Sequence, residues 1–353
     1  MASLPGRSTV TIKDVAARAG VSWKTVTNVV HERPNVRPTT RQRVLEAIEE
    51  LDYRPSVAGR HLRQGRSQTL TLVVPDVLNP YFAMLMTATF RAAEQRGYAV
   101  FVEYAGSGRV HERRAASSLL RFAFDGVIFH PTHATAAELA QLARHRPVVL
   151  VGENVPDTGL DRVSIDNVAA ADDVTSHLTT MGRRTIAFVG KRQGPAEPSH
   201  LRLEGYGAAL ERAGLTVRDE LLVAAPEFDL VDGLTGAARL MKSHPDVDAI
   251  VCANDLLAIG VLRQMRELGV RVPDDVAVTG WDNIPDCEYT APPLTTIEAH
   301  VEVIAAHTVD LLLKRIEDPE RPAEDVIVKH DLVVRESSSP DASSSGPRRA
   351  SSF

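Results

Sequence analysis

From residue 68 to about residue 336 the chain alternates short apolar runs with amphipathic helical stretches. The runs include Leu70–Val74, Tyr98–Val102, Gly126–Phe129, Val148–Val151, Thr185–Val189, Ala249–Cys252 and Val276–Thr279. Helical periodicity marks Pro80–Arg96, Asn167–Met181, Arg202–Ala213 and Asp255–Leu268 between them, and Gly97, Gly182, Gly214 and Gly269 close helices. Uninterrupted apolar strands separated by helices imply parallel sheets covered on both faces. The units are too many for one ordinary sheet, which predicts two doubly wound α/β lobes.

Charge separates a head from this body. Residues 1–66 hold twelve Lys and Arg against six acids, a net of +6; the whole chain is −6, which leaves −12 for residues 67–353. A small basic head on an acidic body suits a protein that puts only its N-terminus on nucleic acid. Four segments are expected: a helix-turn-helix head over 1–54, a basic linker over 55–67, a two-lobed core over 68–336, and a Ser/Pro-rich disordered tail over 337–353. Within the core, one lobe is expected to take 68–165 plus 297–325 and the other 166–292 plus 326–336. Pro292-Pro293 before Leu294-Thr295-Thr296 marks a crossing between lobes.

The head carries the sharpest motif, Thr11 to Val30. Val15, Ala19, Val21, Val26 and Val29 fall where two short crossed helices need apolar contacts, with Ala16 small enough for close approach. Gly20 sits at the turn and Ser22 caps the second helix. Trp23, Lys24, Thr25, Thr27 and Asn28 are left facing outward, on a helix suited to the major groove. A third helix, Thr39 to Leu51, is expected to close the core with Val44, Leu45, Ile48 and Leu51.

That motif, followed by TRQRVLEAIEELDYRPS and then NPYF, resembles the lac-repressor (LacI/GalR) family of bacterial transcription regulators from about residue 10 to 336. The resemblance implies base reading by Trp23, Lys24 and Asn28, and phosphate positioning by Thr11, Ser22, Thr25, Thr40 and Tyr53. Many relatives carry Arg where this chain has Asn28. Pro55 to Leu62 resembles the family's hinge helix, with Ser56 as its cap, Ala58 within it, and Gly59 in place of a better helix former. Eight residues do not sustain a helix alone in water, so the hinge should order only against its twin on DNA. Leu62 is then either a wedge into the minor groove or a residue that fastens the linker to the core.

The core resembles two-lobed sugar-binding proteins, with ligand held at the carboxyl ends of strands. The candidate effector contacts are Asp76, Tyr81, Phe82, Glu153, Arg202, Asn254 and Asp282. Tyr81 and Phe82 serve equally as lobe core, Glu153 contacts ligand or lines the rim, and Asp255 is read first as a helix cap. Gly152-Glu153 and Ala299 depart from the acid–Arg pair and the Gln found in relatives. The set favours a sugar, sugar acid or nucleoside.

Cys252 and Cys287 lack metal or redox spacing, and His111, His130, His133, His200 and His300 are read as solvated. No catalytic, metal or cofactor motif is evident. The chain is therefore expected to be a cytoplasmic homodimer that binds a pseudo-palindromic operator, a repressor of carbohydrate-related genes relieved by a small sugar-like effector. A transport solute-binding protein would fit the core but not the basic head or the absence of a signal peptide; an enzyme has no supporting motif.

Overall fold

The computed structural model describes residues 10–30, 33–53, 66–106, 108–152, 158–191 and 198–339. The chain divides into two compact units, residues 1–67 and 68–353.

The first unit holds α1 (Ile12–Ala19), α2 (Trp23–Val30) and α3 (Pro38–Glu50). Thr11 starts α1 with a capping box: its amide and its hydroxyl each donate to the Asp14 carboxylate at 2.7 Å. Gly20 ends α1 in the left-handed region (φ 64°), where a side chain would strain the turn. Val15, Ala16, Ala19, Val26, Val29, Val44 and Ala47 form the buried core. Leu45 is a correction, being 46% exposed. At 3.6 residues per turn, 44, 47, 48 and 51 share one face of α3 and 45 falls outside it.

In the second unit, one lobe is built on a six-stranded parallel sheet of order β11-β5-β4-β3-β1-β2. Its strands are β1 (Thr69–Val74), β2 (Ala99–Tyr104), β3 (Gly126–Phe129), β4 (Val148–Val151), β5 (Asp161–Ile165) and β11 (Asp325–Val328). Helices α4 (Pro80–Glu94), α5 (Arg109–Ser118), α6 (Ala136–Ala143) and α11 (Val301–Glu317) belong to this lobe. The other lobe has a four-stranded parallel sheet, β7 (Leu222–Ala224), β6 (Ile186–Lys191), β8 (Ala249–Cys252) and β9 (Ala277–Thr279), in that order. It carries α7 (Asn167–Thr180), α8 (Pro198–Arg212), α9 (Leu230–Ser243) and α10 (Asp255–Leu268). Strands β3, β4 and β8 are buried along their whole length, as layers covered on both faces require.

Helices α9 and α10 touch backbone to backbone at Gly233 and Gly260. A β-carbon on Gly260 would lie 2.2 Å from the Leu230 carbonyl oxygen, and one on Gly233 2.1 Å from that of Leu257. Only hydrogen side chains permit the approach.

Two antiparallel strands, β10 (Thr296–Glu298) and β12 (Asp331–Val333), cross between the lobes. Two boundaries differ from the sequence reading. Strand β11 pairs with β5 in the first lobe's sheet, so 326–328 belong there and the last crossing comes later. Ser337 and Ser338, assigned to a disordered tail, are completely buried and hydrogen-bonded into the second lobe. Small hydroxylated residues satisfy backbone groups of β9 and the crossing strand there, a role that composition does not reveal.

Candidate functional site

In the first unit, α2 presents the residues singled out for DNA. The Ser22 hydroxyl accepts from the Thr25 amide at 3.2 Å and lies 3.0 Å from the Thr25 hydroxyl, closing the first turn. Trp23 is 48% exposed, Lys24 is exposed with its ammonium 5.9 Å from the Trp23 ring, and Asn28 is half-buried. The Thr27 hydroxyl donates to the Trp23 carbonyl at 2.9 Å. Thr40 sits half-buried in the first turn of α3, and Tyr53 leans on the head's core. Ser56, Ala58 and Leu62 lie outside the described residues.

In the second unit, a cavity of about 350 Å³ opens where the carboxyl ends of both sheets face each other. Asp76, Tyr81, Phe82, Arg202, Asn254 and Asp282 all line it; Glu153 lies outside the described residues. Parallel topology explains the convergence. Every β-strand end that carries the loop to the next helix lies at the same edge of its sheet, so residues far apart in sequence meet.

Arg202, in the first turns of α8, is held in place. Its Nε donates to Asn167 Oδ1 at 2.8 Å, Nη1 donates to the Ala253 carbonyl, and the guanidinium lies 4.0 Å from the Trp281 ring centroid. Asp282 follows β9 with a positive φ of 110°, strained for a residue with a side chain. Its buried carboxyl is pushed well above the usual carboxylate range by loss of water, against the opposing pull of Arg202. Asn254 caps α10: its Oδ1 accepts from the Leu257 amide at 2.8 Å while Nδ2 donates to the Phe228 carbonyl at 2.9 Å. That corrects the assignment of the cap to Asp255. Asp255 is instead wholly buried behind the cavity, accepting from the Thr296 hydroxyl at 2.7 Å and the Ile284 amide at 2.9 Å. Burial raises its pKa to about 6.

His130 is a second correction. It lies in the cavity wall at the end of β3, edge-on to Phe82 at 4.9 Å and to Tyr81 at 6.5 Å. Burial of the ring lowers its pKa to about 4, so the imidazole is neutral. Its Nδ1 and the Ser199 hydroxyl are buried without a hydrogen-bond partner among the described residues. Trp281, Asn167, Phe228 and Ser199 also belong to the wall and were not anticipated. A strand-end position was the available signal for Trp281; nothing local marked the others.

The geometry defines a class: a two-lobed α/β core with a polar, aromatic-walled ligand cavity, on a chain that begins with a helix-turn-helix. Residues 11–56 match the model of bacterial regulatory proteins of the lacI family, and 175–338 that of the periplasmic binding protein-like domain. The HTH-type transcriptional repressor CytR of Escherichia coli (strain K12) is 30% identical over 331 residues, 92% of this chain and 95% of CytR. The solved complex of the transcriptional regulator CelR with cellobiose is 30% identical, spans 93% of this chain and 99% of its own, and superposes with a TM-score of 0.70. The lac repressor dimer bound to operator and the anti-inducer ONPF reaches 0.83 at 25% identity, over 94% of this chain and 99% of its own. The chain belongs to the lacI family of bacterial regulatory proteins. These are DNA-binding transcriptional regulators, not enzymes. Among the described residues no helix is long and apolar enough to cross a membrane.

Proposed function

We propose that this regulator is a cytoplasmic homodimeric repressor whose two heads grip a pseudo-palindromic operator, and whose cavity takes an uncharged polyhydroxylated ring, a sugar or nucleoside. Trp23, Lys24 and Asn28 read bases, while Thr11, Ser22, Thr25, Thr40 and Tyr53 position phosphates. The 55–67 segment, with Ser56, Ala58 and Leu62, serves as hinge. Ligand held by Arg202, Asn254 and Asp282 alters the lobe arrangement and releases the operator.

The observation that carries the ligand class is the charge state of the wall. Arg202 already has Asn167 and Ala253 as acceptors and faces the Asp282 carboxyl, and His130 is neutral. The exposed lining acids Asp76 and Glu227 add negative charge, which disfavours a phosphate or carboxylate. Aromatic faces at Tyr81, Phe82, Phe228 and Trp281 suit the apolar faces of a ring whose hydroxyls meet the polar groups.

A thermal-shift screen tests this with neutral mono- and disaccharides, nucleosides, and the corresponding phosphates and uronates. A neutral compound should raise the melting temperature and weaken binding to a duplex selected from random sequence. Stabilisation by the charged analogues alone would reject the ligand class.

A further inference from the structure

We propose that the core itself touches DNA, through Arg121 and Arg144 at the end of the first lobe opposite the ligand cavity, which bind backbone phosphates flanking the operator.

Because the six-stranded sheet is parallel, the segments that lead into its strands all lie at one end. Residues 119–125 lead into β3, 144–147 into β4, and 66–68 into β1. They are fastened together. Arg146 donates to the carbonyls of Phe122 at 3.0 Å and Phe124 at 3.2 Å, joining the first two. The Gln68 amide donates to Asp125 at 2.8 Å, and the Asp125 amide donates to Thr69 at 2.8 Å, joining the third. The exposed arginines on this face include Arg66, Arg121 and Arg144, of which the last two flank the loops under β3 and β4.

Both are exposed, and neither side chain forms an ion pair or hydrogen bond among the described residues. They share this with Arg91, Arg114, Arg239 and Arg266, while most of the described arginines of this body of net charge −12 have carboxylate or carbonyl partners. Among the acids at the same end of the lobe, Asp125 precedes β3 and takes the Gln68 amide, while Asp318, Glu320 and Glu324 precede β11 at the far edge of the sheet, where Arg321 pairs with Glu324 and with the buried Asp161. Under β3 and β4, Arg121, Arg144 and Arg146 stand against the Asp125 carboxylate, a net positive charge.

The polyanion is supplied by the chain's own connectivity. The chain enters the core on this face, at Gln68, fifteen residues on from Tyr53 of the head. A tether of that length has a contour of at most about 50 Å. A duplex gripped by the head is therefore at high local concentration beside the two arginines. Phosphate binding of this kind needs charge, not a shaped pocket, and carries no sequence information. The exposed Leu120 and Phe122 nearby would suit an acidic protein surface instead; the tethered duplex decides for DNA.

The test uses the full chain and a duplex selected by it from random sequence, either trimmed to the selected site or extended by about one helical turn, roughly 10 base pairs, on each side. Wild type should prefer the extended duplex by about tenfold at low salt. R121A/R144A should bind both lengths alike, with a salt slope shallower by about one for each phosphate it no longer neutralises. R121K/R144K should restore most of the preference, and melting temperature should not move. Equal binding of both lengths by wild type, or an unchanged length preference and slope in R121A/R144A, would overturn the proposal. So would a loss of equal size on the trimmed duplex.

Discussion

The Ser337 hydroxyl donates to the Val278 carbonyl at 2.6 Å while accepting from the Thr295 amide at 2.8 Å. One buried side chain near the end of the chain thus fastens strand β9 to the segment that crosses between lobes. Thr295 also shares its hydroxyl with Ser338 at 2.7 Å, and Ser338 lies 2.9 Å from the His177 ring nitrogen.

S337A should therefore destabilise the core by about 1–3 kcal/mol, since it leaves a buried amide and a buried carbonyl without that partner. Equilibrium urea unfolding reads the change. An unaltered midpoint would show that the hydroxyl is replaceable.

Arg202 combines three restraints in one fork, to Asn167, Ala253 and the Trp281 face. Lys keeps the charge but lacks the planar fork. R202K should abolish the ligand-dependent rise in melting temperature while operator affinity without ligand changes less than about threefold. Loss of operator binding instead would mean that Arg202 serves chiefly to hold the fold.

His130 and Asp255 oppose one another with pH. Burial holds the His130 pKa at about 4, so its neutral ring contributes stability above the ordinary value of 6.5 and loses it as pH falls toward 4. Asp255, raised to about 6, contributes below 3.8 and loses that contribution as pH rises through 6. Wild type should accordingly show a shallow stability profile between pH 4 and 7. H130Q removes the first contribution, so wild type should lose stability relative to it, by on the order of 2 kcal/mol, between pH 7 and 4. A constant difference in unfolding free energy across that range would reject the assignment.

Asn28 is half-buried on α2, and its carboxamide carries the donor and the acceptor that an adenine edge requires. N28A should lose about 1–3 kcal/mol of discrimination at one operator position while leaving the other positions unaffected. Binding measured across a panel of singly substituted duplexes makes the comparison, and an unaltered base preference would count against direct readout.

Gly260 allows α9 and α10 to meet, and a methyl group there collides with the Leu230 backbone. G260A should cost about 1–3 kcal/mol through displaced helices. Thermal unfolding that matches wild type would show that the helices can separate without loss.

Much of the architecture could be read from residue order. Periodicity of two kinds, with Gly97, Gly182, Gly214 and Gly269 at helix ends, identified a doubly wound core because backbone hydrogen bonding and burial impose those periods locally. Gly20, Ser22 and the valines of the head did the same for the helix-turn-helix. Asp76, Asn254 and Asp282 could be named because strand ends are visible in sequence, and Arg202 because its segment resembles one of the lacI family. Their partners could not. Asn167, His130 and Trp281 meet Arg202 or its cavity only after two sheets are stacked carboxyl edge to carboxyl edge. Ser337 and Ser338 have a composition that suits solvent, and burial follows only from the unpaired backbone groups of β9 and Thr295 that they satisfy. Leu45, expected in the core, is exposed, and Ala47 is buried, because a helix's rotation about its axis is set by its neighbours. Sequence determined which segments are helix or strand and which end of each strand carries chemistry, since those depend on nearby residues. Tertiary structure decided which side chains share a dielectric, a partner or a cavity, since those depend on distances between atoms that the chain order leaves open.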